Sequence, residues 1–337
     1  MMAKLLMCKN KAIYNIEAQK VLNQDLLPGC MQVNPTTEGL MSWMKLRYSS
    51  GTNTFARQLR GLLFGQGNRL QIDETTHAVS FSDCYWLKDS EDPVAFEEVS
   101  PYYGHFWTGD GMYQNEGIPT LYVDGALPKE WTKEGFLHKV GANLDVEIDC
   151  IKLCRACGIP VEFGFKVDDG ICLENFTNEN IMLEKASESG RIPEETYTAA
   201  DIVKWFGVFG VELLTIDAIV GNGDRHLGNL GWLRDANTGI YLGPAPAYDF
   251  DHAMDAKSTE HSDILIQEVV DLCEDYRDRI TEILEVAKDF DDYSCDEVRE
   301  VFQGRAQMML NIIQSIPIID DPERDRNEED PGDDIEC

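Results

Sequence analysis

Positive charge is what this sequence has least of. Lysine and arginine number 29 against 61 aspartates and glutamates, leaving a formal net charge of -32 over 337 residues. Such a surface repels phosphate backbones and anionic lipid, so direct contact with nucleic acid or a membrane is not expected. Long apolar runs are missing as well: none approaches the roughly 18 residues that a bilayer-spanning helix needs. Met1–Asn10 has no long apolar stretch and no small-residue cleavage site, so no secretory signal is expected there. The ten cysteines follow no disulfide-scaffold spacing, which fits reduced thiols in a cytoplasmic protein. Cys150, Cys154 and Cys157 do cluster, but at helical spacing and with no second ligand pair nearby in sequence. Buried thiols are expected there rather than a metal site.

Hydrophobic residues make up 43% of the chain, enough for a substantial core. Up to about Val123 the pattern is one of short strands, loops and a few helical pieces. Ala78–Phe81 and Leu121–Val123 have strand character, while Thr37–Arg47 and Asn53–Leu63 carry apolar residues at helical steps. Gly135–Val140 reads as a strand, Asp145–Cys157 as a helix stopped by Gly158, and Ile159–Val167 and Ile171–Phe176 as strands joined by a turn at Asp168–Gly170. Thr198–Val220 is apolar on nearly every side, which predicts one buried helix. An irregular stretch, Gly221–Asp251, follows, with an apolar strand at Gly239–Gly243. Helices are then expected over Ile264–Asp289, and a last one opened by a capping box of Ser294 and Glu297. This is an α+β chain: a β-rich lobe over residues 1–176 and a helical lobe over 177–319, with a cleft between them. The remaining stretch, 320–337, holds ten acids and two arginines and is expected to be a disordered tail.

Chemistry concentrates in Gly221–Ala253, GNGDRHLGNLGWLRDANTGIYLGPAPAYDFDHA. Asp224 is followed by Asn229 five positions later and by Asp249 twenty beyond that. Phosphoryl transfer asks a protein for metal ions on the phosphates, a group that receives the nucleophile's proton, and positive charge to gather the nucleotide. Magnesium favours hard oxygen donors, which a carboxylate and an amide carbonyl supply. Asn229 and Asp249 fit those two positions and leave Asp224 as the base. In so acidic a chain, a local cluster of lysines must supply the attraction for ATP. Arg225 is expected to pair with a nearby acid, His226 to be a packed histidine, and Tyr248 to lie beneath the site. Asp251 and His252 have no evident role.

The run GDRHLGN followed by PAYDFD resembles the active-site signature of the HipA-like kinases, bacterial serine/threonine kinases with a two-lobed protein-kinase-like fold. GDRHLGN with a later Asp is also similar to phosphatidylinositol kinases, whereas ordinary protein kinases place His-Arg before the Asp. Leu40–Arg47, Ser82–Lys88 and Gly125–Trp131 look like the small-lobe region of HipA-like proteins. The likeness spans most of residues 35–315, although only the catalytic stretch is specific. It implies catalytic Asp224, metal-binding Asn229 and Asp249, and a nucleotide-gripping Lys139 held by Glu147, with Asp145 as the alternative to Glu147. It further implies a phosphate-covering loop over Gly125–Lys129, with Gly125 and Ala126 at the nucleotide, and a lobe hinge that sets Glu174 and Phe176 beside adenine. The activity implied is ATP- and Mg²⁺-dependent phosphorylation of a protein hydroxyl, with autophosphorylation, a toxin-like role and an antitoxin-like protein partner. Two alternatives stand beside it: a lipid or small-molecule kinase on the same fold, and a pseudokinase that holds nucleotide without turnover. The charge of -32 weighs against lipid.

Overall fold

The strands at the start of the chain carry runs of buried apolar residues, Leu6–Cys8 on the first and Ile13–Tyr14 on the second, and they pair into the first of three antiparallel sheets. A computed structural model describes residues 4–47, 77–105, 129–141, 144–192, 197–254 and 259–317. In it β1 (Lys4–Cys8), β2 (Lys11–Asn15), β3 (Lys20–Val21) and β4 (Tyr85–Asp89) form a sheet of order β3-β2-β1-β4. Two helices, α1 (Gly29–Val33) and α2 (Thr37–Arg47), cover it with Met31, Leu40, Trp43 and Met44, which share a core with Leu6, Ile13, Tyr14 and Trp86. Ala78–Phe81 is not a strand. Its Val79 and Phe81 are buried, but in irregular chain ahead of β4, and the paired residues are Tyr85–Asp89. The sequence pattern reports burial, and burial alone does not supply a hydrogen-bonding partner strand. The expected elements at Asn53–Leu63 and Leu121–Val123, and the tail from 320, lie outside the described residues.

The second sheet is built from β5 (Lys129–Trp131), β6 (Phe136–Lys139), β7 (Gly164–Val167) and β8 (Gly170–Glu174), in the order β5-β6-β8-β7. Helix α3 (Leu144–Ala156) lies on it, with Leu144 and Ile151 against Ile171 and Leu173. Only the end of the expected Ile159–Val167 strand is paired in the sheet, because Val161 instead bridges to Ala247 in the loop of the larger lobe. A third sheet, order β11-β10-β9, joins β9 (Ile181–Lys185) to the hairpin of β10 (Gly231–Asp235) and β11 (Tyr241–Pro244). This hairpin fills the middle of the stretch read as irregular, and it returns the chain from Asn229 toward Asp249.

The single helix expected over Thr198–Val220 is two, α4 (Ala199–Phe206) and α5 (Val208–Val220). Gly207, at φ 61° and ψ -139°, breaks it. That backbone conformation is open only to glycine, and both flanks are apolar, so periodicity does not reveal the break. Every residue of α5 from Gly210 to Val220 is buried, Glu212, Thr215 and Asp217 included. Helices α6 (Thr259–Asp271), α7 (Cys273–Asp289) and α8 (Asp296–Ser315) pack around α5 and complete the main core with Val269, Ile283, Leu284, Phe302 and Leu310. The capping box at Ser294 and Glu297 does not form: α8 starts at Asp296 with Cys295 as its cap, and Ser294 bonds Asp149 on α3 instead. No described helix is long and apolar enough to cross a membrane.

Candidate active site

The alternation of β6 sends Lys139 inward, to a side chain only 2% exposed. Gly170 on β8 makes that close packing possible, since a Cβ there would sit 2.1 Å from the Lys139 carbonyl oxygen. The ammonium of Lys139 lies 2.7 Å from Glu147 Oε1 on α3 and 2.9 Å from Asp249 Oδ1. Burial opposes the lysine's charge, but the Asp249 and Glu147 carboxylates outweigh it and hold its pKa well above the ordinary value. For Asp249, burial alone would raise the pKa; Lys139 and then Lys129 reverse this and keep the carboxyl below the usual range. Asp249 itself has a left-handed backbone, φ 62°, which turns its carboxylate back under β6. Asp145, the alternative to Glu147, points away and pairs with Lys166 at 2.7 Å.

Two further charged groups in this cluster were not singled out from sequence. Lys129 on β5 stands opposite Lys139 in the ladder, and its ammonium is 3.9 Å from Asp249 Oδ1. Burial, and then repulsion from Lys139, lower its pKa. Glu162 accepts the backbone N–H of Asp249 at 3.1 Å, and burial pushes its carboxyl up to about 8 despite the pull of Lys139. Lys129 is the last residue of the loop expected to cover phosphates, and it lies instead at the start of strand β5. Nothing in the sequence distinguishes Glu162 from a surface acid.

At the end of α5 the left-handed Gly221 turns the chain into the polar loop. Asp224 is about half exposed, with the His252 and His226 rings 3.7 and 3.9 Å from its Oδ2. Asn229 donates its amide nitrogen to the Asp224 carbonyl at 3.3 Å, which leaves the amide oxygen as the atom available to a cation. Arg225 pairs with an acid as expected, and the acid is Asp217 on α5, bridged at 2.9 Å by both Nε and Nη2. Tyr248 donates to the Gly228 carbonyl at 2.8 Å and so sits under the loop.

Lys129, Lys139, Glu162, Asn229 and Asp249 line the polar end of one cleft between the second sheet and the helical lobe. Its other end is walled by Trp131, Leu173, Phe176, Leu183 and Tyr248, with the Phe176 and Tyr248 rings 5.7 Å apart. Glu174 borders the same cleft, but its own N–H is spent on the Phe163 carbonyl at 2.8 Å. Phe81 closes the apolar end from the first lobe, its ring 4.0 Å from Trp131. Gly125 and Ala126 lie outside the described residues. The Cys150 and Cys154 thiols are buried in the core with their pKa values raised by that burial, which makes them poor metal ligands. Among the described residues no three histidines, cysteines or acids are grouped to hold a metal. A carboxylate from Asp249 and an amide oxygen from Asn229 are nevertheless the hard donors a magnesium ion accepts when phosphates and water complete its shell.

A small antiparallel sheet whose lysine is gripped by a helix carboxylate, set over a helical lobe with a polar loop, is a protein-kinase-like architecture. Comparison with a solved structure agrees. HipA of Shewanella oneidensis MR-1, solved with HipB and operator DNA as a toxin–antitoxin system, matches over 94% of this chain and 100% of its own, with a TM-score of 0.51 and 13% identity. The proinflammatory kinase CtkA of Helicobacter pylori matches 57% of this chain and 91% of its own, with a TM-score of 0.38 and 14% identity. No protein-family model matches the sequence, and no curated protein does. The chain has a two-lobed, HipA-like kinase fold.

Proposed function

We propose that this protein is an ATP- and Mg²⁺-dependent kinase that phosphorylates a serine or threonine hydroxyl of a protein. The observation that carries the reading is the buried lysine bridge, Lys139 to Glu147 at 2.7 Å and to Asp249 at 2.9 Å, in a cleft that also holds Asn229. Glu147 fixes the ammonium where phosphate oxygens enter, and Lys129 adds a second positive charge, the local attraction that so acidic a chain needs for ATP. A magnesium ion held by Asp249 and Asn229 would neutralise charge on the phosphates. The aromatic end of the cleft, with Phe176 and Tyr248, has the shape and polarity for a purine ring. Asp224, half exposed beyond the metal ligands, takes the acceptor's proton as its oxygen bonds to the γ-phosphorus and the bond to the β-phosphate oxygen breaks.

The partner expected from the resemblance is a protein. HipA of Shewanella oneidensis was solved with HipB and operator DNA, and a net charge of -32 makes an antitoxin-like protein a better contact for this chain than DNA itself. A toxin-like role and autophosphorylation belong to the same proposal. Incubation with γ-labelled ATP and Mg²⁺, alone and with cell extract, tests it. Label should enter protein, and Asp249→Ala should reduce it by about 100-fold or more. Absence of label on any protein, together with nucleotide-dependent thermal stabilisation, would instead define a pseudokinase. Label entering liposomes but not protein would define a lipid kinase.

A further inference from the structure

Arg225 is almost wholly buried and uses its planar fork in two directions at once. Toward the core, Nε and Nη2 hold both oxygens of Asp217, each at 2.9 Å, and Asp217 is fully buried in the middle of the helical lobe. Toward the cleft, Nη1 donates to two main-chain carbonyls, Asn229 at 3.3 Å and Tyr248 at 2.7 Å. These belong to the two segments, 224–229 and 248–249, that carry Asp224, Asn229 and Asp249. Asn229 and Asp249 are 20 residues apart in sequence, and a β-hairpin lies between them. Asn222 donates a further bond to Asp217 Oδ1 at 3.0 Å, the Arg225 guanidinium rests 4.8 Å from the Phe250 ring, and Tyr197 bonds the Arg225 carbonyl at 2.9 Å.

We infer that the Asp217–Arg225 pair is a positioning device for the divalent-ion site, setting the spacing between Asn229 and Asp249. The inference rests on the function proposed above. Its physical content is that one rigid group anchors both loops to α5, the most deeply buried helix. A guanidinium can do this because its donors point along fixed, coplanar directions. An ammonium offers one nitrogen on a flexible stem and cannot hold a carboxylate and two carbonyls together. A single charge buried this deeply needs its partner, which explains why an acid sits at this position of a fully buried stretch of helix. Neither residue lines the cleft. Their effect passes through the backbone at Asn229 and Tyr248.

The test is Arg225→Lys, read by thermal shift as Mg²⁺ is titrated at a fixed, saturating concentration of a non-hydrolysable ATP analogue. Glu212→Gln serves as a control: it breaks an ion pair with Arg279, 2.7 Å long, which lines no part of the cleft. In Arg225→Lys the Mg²⁺ concentration for half-maximal stabilisation should rise about 10-fold or more, while affinity for the analogue without metal stays within about threefold of wild type. If Arg225→Lys does not fold, Asp217→Asn keeps the side-chain shape and should move the same Mg²⁺ titration in the same direction. An unchanged Mg²⁺ titration overturns the inference, as does an equal shift in Glu212→Gln, which would mark a general loss of stability. A wild-type protein whose analogue binding ignores Mg²⁺ removes the proposed function, and this inference with it. A normal wild type beside an unaltered Arg225→Lys removes the inference alone.

Discussion

Lys129 illustrates how far a side chain's surroundings decide its chemistry. On a solvated strand it would be one more surface charge, but here it is buried, repelled by Lys139 and drawn to Asp249. It has no dedicated carboxylate of its own, whereas Lys139 has Glu147. Lys129→Met is therefore expected to weaken ATP binding by about 10-fold in calorimetry, a loss typical of one charge-assisted contact. An unchanged affinity would place the phosphates elsewhere. Glu162 gives a pH signature. Its carboxyl titrates near 8 in the fold against an ordinary value of 4.5, so the folded state binds a proton that the unfolded chain has released. The stability this contributes is complete below about 4.5 and is lost as pH rises through about 8. Melting temperatures measured without nucleotide or divalent ions should fall from pH 6 to pH 9. Glu162→Gln should flatten that slope, and an identical slope in the variant would show that another group sets it.

Among the elements, the break between α4 and α5 deserves a direct measurement. Gly207 allows α4 to turn away from the buried α5, and α5 then presents Asp217 and Gly221 beneath the polar loop. A Cβ at Gly207 would meet no atom within 4 Å, so the cost of Gly207→Ala is purely that of the backbone conformation. Destabilisation of about 1–3 kcal/mol is expected, read as a lower urea midpoint at unchanged slope. A variant as stable as wild type would mean that the helices can rejoin as one, the form that their apolar pattern favours.

On the scale of the whole molecule, one buried cation helps to tie the β1–β4 sheet and its helices to the rest. Arg234 on β10 is fully buried. It donates to the carbonyls of Gly239 and Leu27 at 2.7 Å each, to Glu184 at 3.0 Å, to the Tyr85 hydroxyl at 3.1 Å, and to the Asp25 carbonyl. Arg234→Met should leave Glu184 as an uncompensated buried charge and strand several carbonyls. The cost should be about 3–5 kcal/mol, with earlier proteolysis within residues 4–105 as the visible result. Melting and proteolysis equal to wild type would show that apolar packing alone seats this lobe.

The lysine strand, the helix that follows it, the order of Asp224, Asn229 and Asp249, and the division into a β-rich and a helical part could all be read in the chain. They rest on local periodicity and on residue types that only certain chemistry requires. The sequence was silent on Glu162, on the choice of Asp217 for Arg225, on Arg234 as an anchor, and on the break at Gly207. It also misread Ala78–Phe81 as a strand and Ser294 as a cap. Apart from the break at Gly207, a matter of one residue's backbone, these turn on which segment comes to lie alongside: Ser294 met Asp149, and Arg225 met an acid on the largely apolar helix before it. Local pattern determined which residues go inside. Only the folded chain decided which buried charges face one another, because a charge accepts burial wherever a partner is within reach, and that reach exists only after the lobes have packed.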